Sequence, residues 1–515
     1  MKKIIIYSLI AFAGALTTGC DLDISPADSM TGDQMSVSPN GLESLVNGCY
    51  SIMKDDQAGQ SDNCWYLRQY FQMSDFSSDD VVYGWGTEDN LNMIFKYDER
   101  DPGLENFTSF WINNYKIIYE ANVAIGVADK KEATKEVNYL KAEALFLKAF
   151  AMHNLVRFYA KPYNEANKST PGIILRESDT DSQNKARATV DSTYKSIVRL
   201  LLQSEKLFGE AESTRSGSKG FVSVNATRAL LCRVYLYMQD YQSCIDYASK
   251  VIDSGAYALE TAEQFPTYFP NAYTEPETIW CLRMIQTDNQ QSAAIASMIM
   301  TAGDGCWGEE GYSPSLLSDM GYNSATLRKA DSRSTYVQPS SVNSSNLTLY
   351  PCSKFSWQDG LKTLCSPVMF RLAEMYLNRA EAYAHLSSSN TDKVLKDVNE
   401  VRKNRLVPDD KGNDFLYTSA SLNGTTLLDF VLKERRVEFC FEGFRYFDLL
   451  RNGKDFVRNY WGYHLNSFVP GQSTSSLPGT SVAGVTTKAD YDRLIFPVPT
   501  QEIINNGECK QNQGY

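Results

Sequence analysis

The chain has 515 residues, 43% hydrophobic and 22% charged, with a formal charge of −12. That balance is globular and excludes wholesale disorder and a polytopic membrane protein, and the length exceeds one minimal core. So acidic a chain has no footprint for a phosphate backbone, which excludes nucleic acid as the main partner. Only three histidines are present, His153, His385 and His464, leaving little material for a His-rich metal site or a His-based triad.

The N-terminus sets the expected compartment. Lys2 and Lys3 precede an apolar run, Ile4 to Leu16, too short for the roughly 20 residues of a membrane span and suited to a signal-peptide core. It ends in Leu16-Thr17-Thr18-Gly19-Cys20, which resembles the lipobox of bacterial lipoproteins, where the cysteine is acylated and becomes the new N-terminus. Thr17 departs from the aliphatic residue common there. Residues 1–19 are therefore read as a signal peptide, and 20–40 as the lipidated Cys20 and a polar tether. Ten further cysteines follow without a C-x-x-C or a paired Cys/His spacing, so no metal is expected, and Cys232, Cys281 and Cys440 read as small buried hydrophobes.

Helical periodicity then dominates. Gly41–Lys54, Phe110–Val127, Val137–Tyr159, Val190–Phe208 and Ala226–Ser254 all carry apolar residues at three- and four-residue steps. In Ala226–Ser254, Ala229, Tyr235, Tyr241 and Ala248 fall where a tetratricopeptide unit places its packing residues, with Gln239-Asp240 at the turn. Phe370–Leu386 and Thr426–Arg451 follow, the latter broken at Gly443. Stretches 55–106, 160–188, 256–365, 408–424 and 464–489 read as irregular, so the expected architecture is a helical scaffold with long aromatic-bearing loops.

Catalytic motifs are weak. Gly303-Asp304-Gly305-Cys306-Trp307-Gly308 satisfies G-x-G-x-x-G, but Glu309-Glu310-Gly311-Tyr312-Ser313-Pro314 opens no helix and phosphate-cradle geometry is missing. Asp79-Asp80 and Glu309-Glu310 are acidic pairs that read as solvated loop acids, because a glycosidase needs two carboxylates spaced across a cleft. In Lys433–Arg451 (KERRVEFCFEGFRYFDLLR), Arg435 with Glu438 and Arg445 with Asp448 are three apart and suit pairing on a helix face, Gly443 suits a left-handed helix end, and the segment reads as a fold-specific ion-pair cluster and not as a charged active site.

That segment resembles the C-terminal signature of the SusD/RagB family of outer-membrane nutrient-binding lipoproteins. FRLAEMYLNRAEAYA, EVNYLKAEALFLKAFAMHNLVRFYA, NEVRKNRL and the closing LIFPVPTQEIINN with CKQNQGY resemble further elements of that family. The resemblance implies a mainly α fold with tetratricopeptide-type helix pairs, few short strands and a loop-built ligand face. Residues 41–255 would form the N-terminal part, and 256–515 a loop-rich part completing one globular fold. It also implies a lipid-anchored protein of the outer membrane, facing the cell exterior. Such a protein captures oligosaccharide without catalysis or cofactor and hands it to a SusC-like TonB-dependent transporter. Peptide cargo within the same family is the alternative, followed by a periplasm-facing tetratricopeptide adaptor.

A glycan site needs exposed flat aromatics edged by polar groups. Trp111 and Trp280 sit in element-like runs and read as core. Trp85 and Tyr83, in DDVVYGWGTEDN, and Trp307 and Tyr312, in GDGCWGEEGYSP, sit in glycine-rich loops. The expected platform is Trp85 with Trp307, assisted by Tyr83, Tyr312, Asp80 and Asn90, with Trp357 and Trp65 next.

Overall fold

The structure is a computed structural model that describes residues 35, 37, 38, 40–55, 61–83, 90–339, 341, 342, 348–460 and 485–515. The longer helices are α1 (Gly41–Lys54), α2 (Tyr66–Phe76), α3 (Glu105–Lys130), α4 (Lys135–Tyr159), α5 (Val190–Gly209), α6 (Val224–Tyr237), α7 (Tyr241–Ile252), α8 (Leu372–Leu386), α9 (Thr391–Lys403), α10 (Leu427–Glu438) and α11 (Arg445–Arg451). Several start where a side chain caps them: Thr134, Thr189, Ser223, Asp240 and Thr426 each accept a backbone N–H from the first turn.

From α3 to α9 the helices pack mainly on their neighbours in the chain, α3 on α4, α4 on α5, α6 on α7, α7 on α8 and α8 on α9. The α6–α7 hairpin turns at Gln239, whose φ is +61°, and buries Ala229 and Ala248 as the repeat reading expects. Tyr235 stacks on Tyr247 at 5.5 Å and Tyr241 on His385 of α8 at 4.3 Å. Helix α4 is buried over nearly its whole circumference.

Helix α2 lies in a stretch read as irregular. All eleven of its residues are buried, including Arg68, Gln69, Gln72 and Asp75, so it has no polar face to create a periodic signal. Helix α9 was likewise legible only at its end, as NEVRKNRL.

Strands are few and paired in antiparallel twos: β1 (Val81–Tyr83) with β3 (Glu310–Tyr312), β2 (Thr278–Cys281) with β6 (Val368–Arg371), β4 (Ser341–Val342) with β5 (Thr348–Leu349), and β7 (Phe456–Arg458) with β8 (Val485–Thr487). The fold is mainly α, built of helix pairs with loops and short strands. The C-terminus folds back on it, with Gln511 and Val498 exchanging hydrogen bonds of 2.6 and 2.8 Å. Trp111 and Trp280 are core, and the ten described cysteines are buried and unpaired.

The charged segment Lys433–Arg451 breaks between α10 and α11, where Phe441 and Gly443 have φ of +62° and +75°. A Cβ on Gly443 would lie 2.9 Å from Ser74 Oγ, so the break is wedged against α2. The break corrects the expected pairing. Arg435 bonds Asp448 at 2.8 Å across the turn, and Arg445 bonds Asp79 at 2.7 Å. Glu438 faces inward to Arg333, Arg371 and Arg405 at 3.3, 2.5 and 2.9 Å. Arg435, Glu438 and Asp448 are buried and Arg445 is half-buried, and each meets a partner from another element.

Candidate functional site

The β1–β3 ladder places Val81 opposite Tyr312 and Tyr83 opposite Glu310. It therefore unites the two loops singled out from sequence, but as an interior ribbon. Tyr83 is fully buried against Phe76 and Phe95, with ring centroids 5.3 and 5.8 Å away. Tyr312 is buried against Phe441 at 4.6 Å, its hydroxyl 3.4 Å from Cys352 Sγ. Both tyrosines are core and not platform residues, because strand pairing supplies the burial that an isolated loop lacks.

Asp80 is likewise buried, accepting from Arg436 Nε at 2.7 Å, while Arg445 Nε donates to Asp79 at 2.7 Å. Burial works to raise Asp79, but the Arg436 and Arg445 guanidiniums outweigh it and hold the carboxyl well below the usual range. Burial pushes Asp80 up to about 6 against the pull of Arg436, with Asp79 adding to the rise. The pair Asp79-Asp80 is an internal ion-pair node joining α10 and α11 to β1, and not a solvated loop. Glu310 is also interior, and both its carboxylate oxygens lack a hydrogen-bond partner among the described residues. Asn90 opens a short helix, Asn90–Phe95, and is half-buried. Trp85 and Cys20 lie outside the described residues.

Trp307 is different: its side chain is 52% exposed. The Gly303–Cys306 bridge is closed by reciprocal backbone hydrogen bonds of 2.9 and 3.1 Å, with φ of +52° and +84° at Asp304 and Gly305. This is an Asp-Gly hairpin turn, which explains the glycine spacing without a phosphate. Gly308 has φ +66°, and a Cβ there would lie 2.7 Å from Ala302 N and 2.9 Å from Met300 O. That tight seat fixes Trp307, whose indole Nε1 donates to Ser292 O at 3.2 Å.

Two neighbouring loops are tied to this one. Lys362 Nζ donates to Thr301 O and Gly303 O at 2.8 Å each, and Thr363 Oγ1 donates to Asn289 Oδ1 at 3.0 Å. Gln358 Nε2 reaches Met284 O at 2.7 Å. Trp357 projects from the third loop, 49% exposed, on a backbone with φ +68°. Loops 285–294, 301–308 and 357–365 thus form one hydrogen-bonded face with two exposed indoles and the exposed apolar side chain of Ile285. Trp65, just before α2, is half-buried.

Two clefts of about 550 and 580 Å³ lie elsewhere, flanking residues 488–492, and share no lining residue with these loops. Stacking on an indole face requires no cavity, so the loop face is the better candidate for a flat ligand.

Two family models cover most of the chain: "SusD family" matches residues 280–515 and "Starch-binding associating with outer membrane" matches 22–236. The chain belongs to the SusD/RagB family. Among its relatives, SusD-like protein P2 of Formosa agariphila is 24% identical, covering 88% of this chain and 91% of that one. Starch-binding protein SusD of Bacteroides thetaiotaomicron is 23% identical, covering 100% and 99%. A crystal structure of a SusD superfamily protein from Bacteroides thetaiotaomicron superposes with a TM-score of 0.75 at 23% identity, covering 92% of this chain and 99% of that one. A SusD-like carbohydrate binding protein from Bacteroides vulgatus superposes with a TM-score of 0.73 at 18% identity, covering 91% and 96%. In this SusD/RagB member the family signature Lys433–Arg451 is a buried ion-pair hub that joins the two matched regions, through Arg436 to Asp80 and Arg445 to Asp79.

Proposed function

We propose that this protein is a non-catalytic glycan-binding lipoprotein. It is held in the outer membrane through Cys20, faces the cell exterior, and passes captured oligosaccharide to a SusC-like TonB-dependent transporter. The anchoring part rests on the leader and lipobox-like Leu16–Cys20. The family model that matches residues 22–236 is described as starch-binding and outer-membrane associating. Two relatives carry names that include starch or carbohydrate binding.

The observation that carries the binding reading is the exposed Trp307 indole on a rigid turn, in a protein where most described aromatic side chains are buried. Holding a large apolar ring in water is unfavourable, and a sugar's C–H face covers it while ring-edge polar groups meet the hydroxyls. Trp357 extends the surface, and Trp85 keeps its place in the proposed platform. Asn289, Gln290 and Asp288 lie in the adjoining loop as polar partners.

The test is calorimetry and affinity electrophoresis of the detergent-solubilised protein against plant, host and microbial glycans and a casein digest. A glycan hit weakened about tenfold by Trp307→Ala, ~1.4 kcal/mol, supports both function and site. A hit unmoved by Trp307→Ala and Trp357→Ala discards the site, and heat from peptides alone discards the glycan cargo. Unchanged glycan chain lengths after long incubation would agree with a binding role, and shortened chains would contradict it.

A further inference from the structure

The last turn of α4 carries Arg157, 6% exposed, with its guanidinium over the rings of Phe447, Tyr70 and Phe158 at 4.6, 4.7 and 5.2 Å. Every other buried arginine among the described residues donates at least one side-chain hydrogen bond to a carboxylate, amide or carbonyl oxygen. Arg233, for example, bonds Glu374 at 2.7 Å, and Arg458 meets the carbonyls of Phe76, Ser78 and Phe95. Among the described residues Arg157 has no ion pair, and its Nε and Nη2, though not its Nη1, are buried without an acceptor. Aromatic faces attract a cation but offer neither a lone pair nor a full negative charge, so the hydrogen-bonding demand of Nε and Nη2 remains unmet.

Two further donors nearby also lack a partner among the described residues. The Tyr237 hydroxyl and Arg451 Nε are buried without a partner. Arg451 keeps its other nitrogens on Glu381 and Asp448. His153 stands nearby, its ring 5.2 Å from Tyr237. Burial first, then the Arg157 and Arg233 charges, hold it well below its usual range, so it stays neutral. Arg157, Tyr163, Tyr194, Tyr237, Phe447 and Arg451 line a small cavity, and it adjoins the 550 Å³ cleft through Lys161, Pro162, Leu450 and Arg451. A water-sized sphere has about 10 Å³ in which to move its centre there, roughly the room of one water.

Water would meet the hydrogen bonds but bring no negative charge to the guanidinium, and arginine nitrogens can only donate. Sulfate and phosphate exceed the space. We propose that this cavity binds one monatomic anion of chloride's kind, held by Arg157 with the Tyr237 hydroxyl and Arg451, clamping α4 to α6 and α11. The site is separate from the loop face bearing Trp307 and does not depend on glycan binding.

The experiment compares melting of the protein in sodium chloride and sodium gluconate at equal ionic strength, and locates bromide by anomalous diffraction in crystals grown with bromide. The expected result is a saturating rise of about 1–3 °C in chloride, absent in Arg157→Met, and a bromide peak touching Arg157. Equal melting in both salts with no bromide peak overturns the proposal and leaves water in the cavity. A chloride effect that persists in Arg157→Met overturns it as well. If Arg157→Met fails to fold, the bromide peak in the unaltered protein decides.

Discussion

Replacing Glu438 by glutamine keeps the shape of a buried residue and removes its charge. In the surrounding hydrogen-bonded network, Arg333, Arg371, Arg402, Arg405 and Lys354 face Asp331, Glu277, Glu434, Glu438 and Glu442. Five cations balance five carboxylates, and Glu438 alone touches three of the arginines. Burial works to raise its carboxyl, but Arg405, Arg371 and Arg333 together hold it well below the usual range. Glu438→Gln leaves these five buried cations facing four of the five carboxylates. Breaking one partner of a buried pair costs about 3–5 kcal/mol. Removing the exposed pair Lys135–Glu212, at 2.7 Å with both side chains mostly in water, should leave stability almost unchanged, because water already screens it. Urea unfolding followed by tryptophan fluorescence measures both without adding salt. A second arm adds Arg405→Met to Glu438→Gln, which restores neutrality, so the double variant should lose at least ~1 kcal/mol less than the sum of the singles. A Glu438→Gln loss below about 1 kcal/mol, or strict additivity in the double, would refute the reasoning that charge balance holds this hub together.

Gly308→Ala forces a Cβ against backbone at Ala302 and Met300 on a left-handed residue, so it should cost about 1–3 kcal/mol and weaken glycan affinity while the helical circular-dichroism spectrum is kept. Unchanged melting and affinity would show that this turn does not seat Trp307. Glu310→Gln tests a buried carboxyl whose oxygens have no partner among the described residues. Burial, then the charges of Asp75 and Asp80, raise it well above its ordinary 4.5, so the native state holds a proton that the unfolded chain releases first. Stability from this group is present below pH 4.5 and is lost as pH rises toward the folded value. The wild type should therefore fall relative to Glu310→Gln by up to ~1.4 kcal/mol per pH unit above pH 4.5. Melting curves from pH 4 to 8 check this, and a constant difference between the two proteins would sink it.

The scaffold was largely legible because its long helices repeat apolar residues at three- and four-residue steps, even in α4, which is buried almost all round. Gly41–Lys54 was read to the residue, and the α6–α7 turn was placed at Gln239-Asp240. Legibility failed where burial is complete, since α2 presents arginine, glutamine and aspartate inward and mimics an irregular polar stretch. The same cause misplaced the site residues. Tyr83, Tyr312 and Asp80 sit among glycines and acids that read as surface, but a three-residue strand pairing between segments some 230 positions apart, together with Arg436 from α10, brings them inside. No local pattern encodes such a distant pairing. Trp307 was read correctly as exposed because its environment is local, an Asp-Gly turn and a glycine seat. Trp357 ranked lower because its left-handed backbone has no side-chain signature. The signature helix pair was recognised by residue order, but most partners of its charges come from other elements, which no local spacing encodes; Arg451 and Asp448, three apart on α11 with buried side chains, do pair.

The most direct measurement is calorimetry of the detergent-solubilised protein and its Trp307→Ala variant, side by side, on the glycan panel and a casein digest. The expected result is a saturable heat for at least one oligosaccharide, with affinity about tenfold weaker in the variant. Heat from the peptide digest with none from any glycan would contradict the proposed role of this SusD/RagB member.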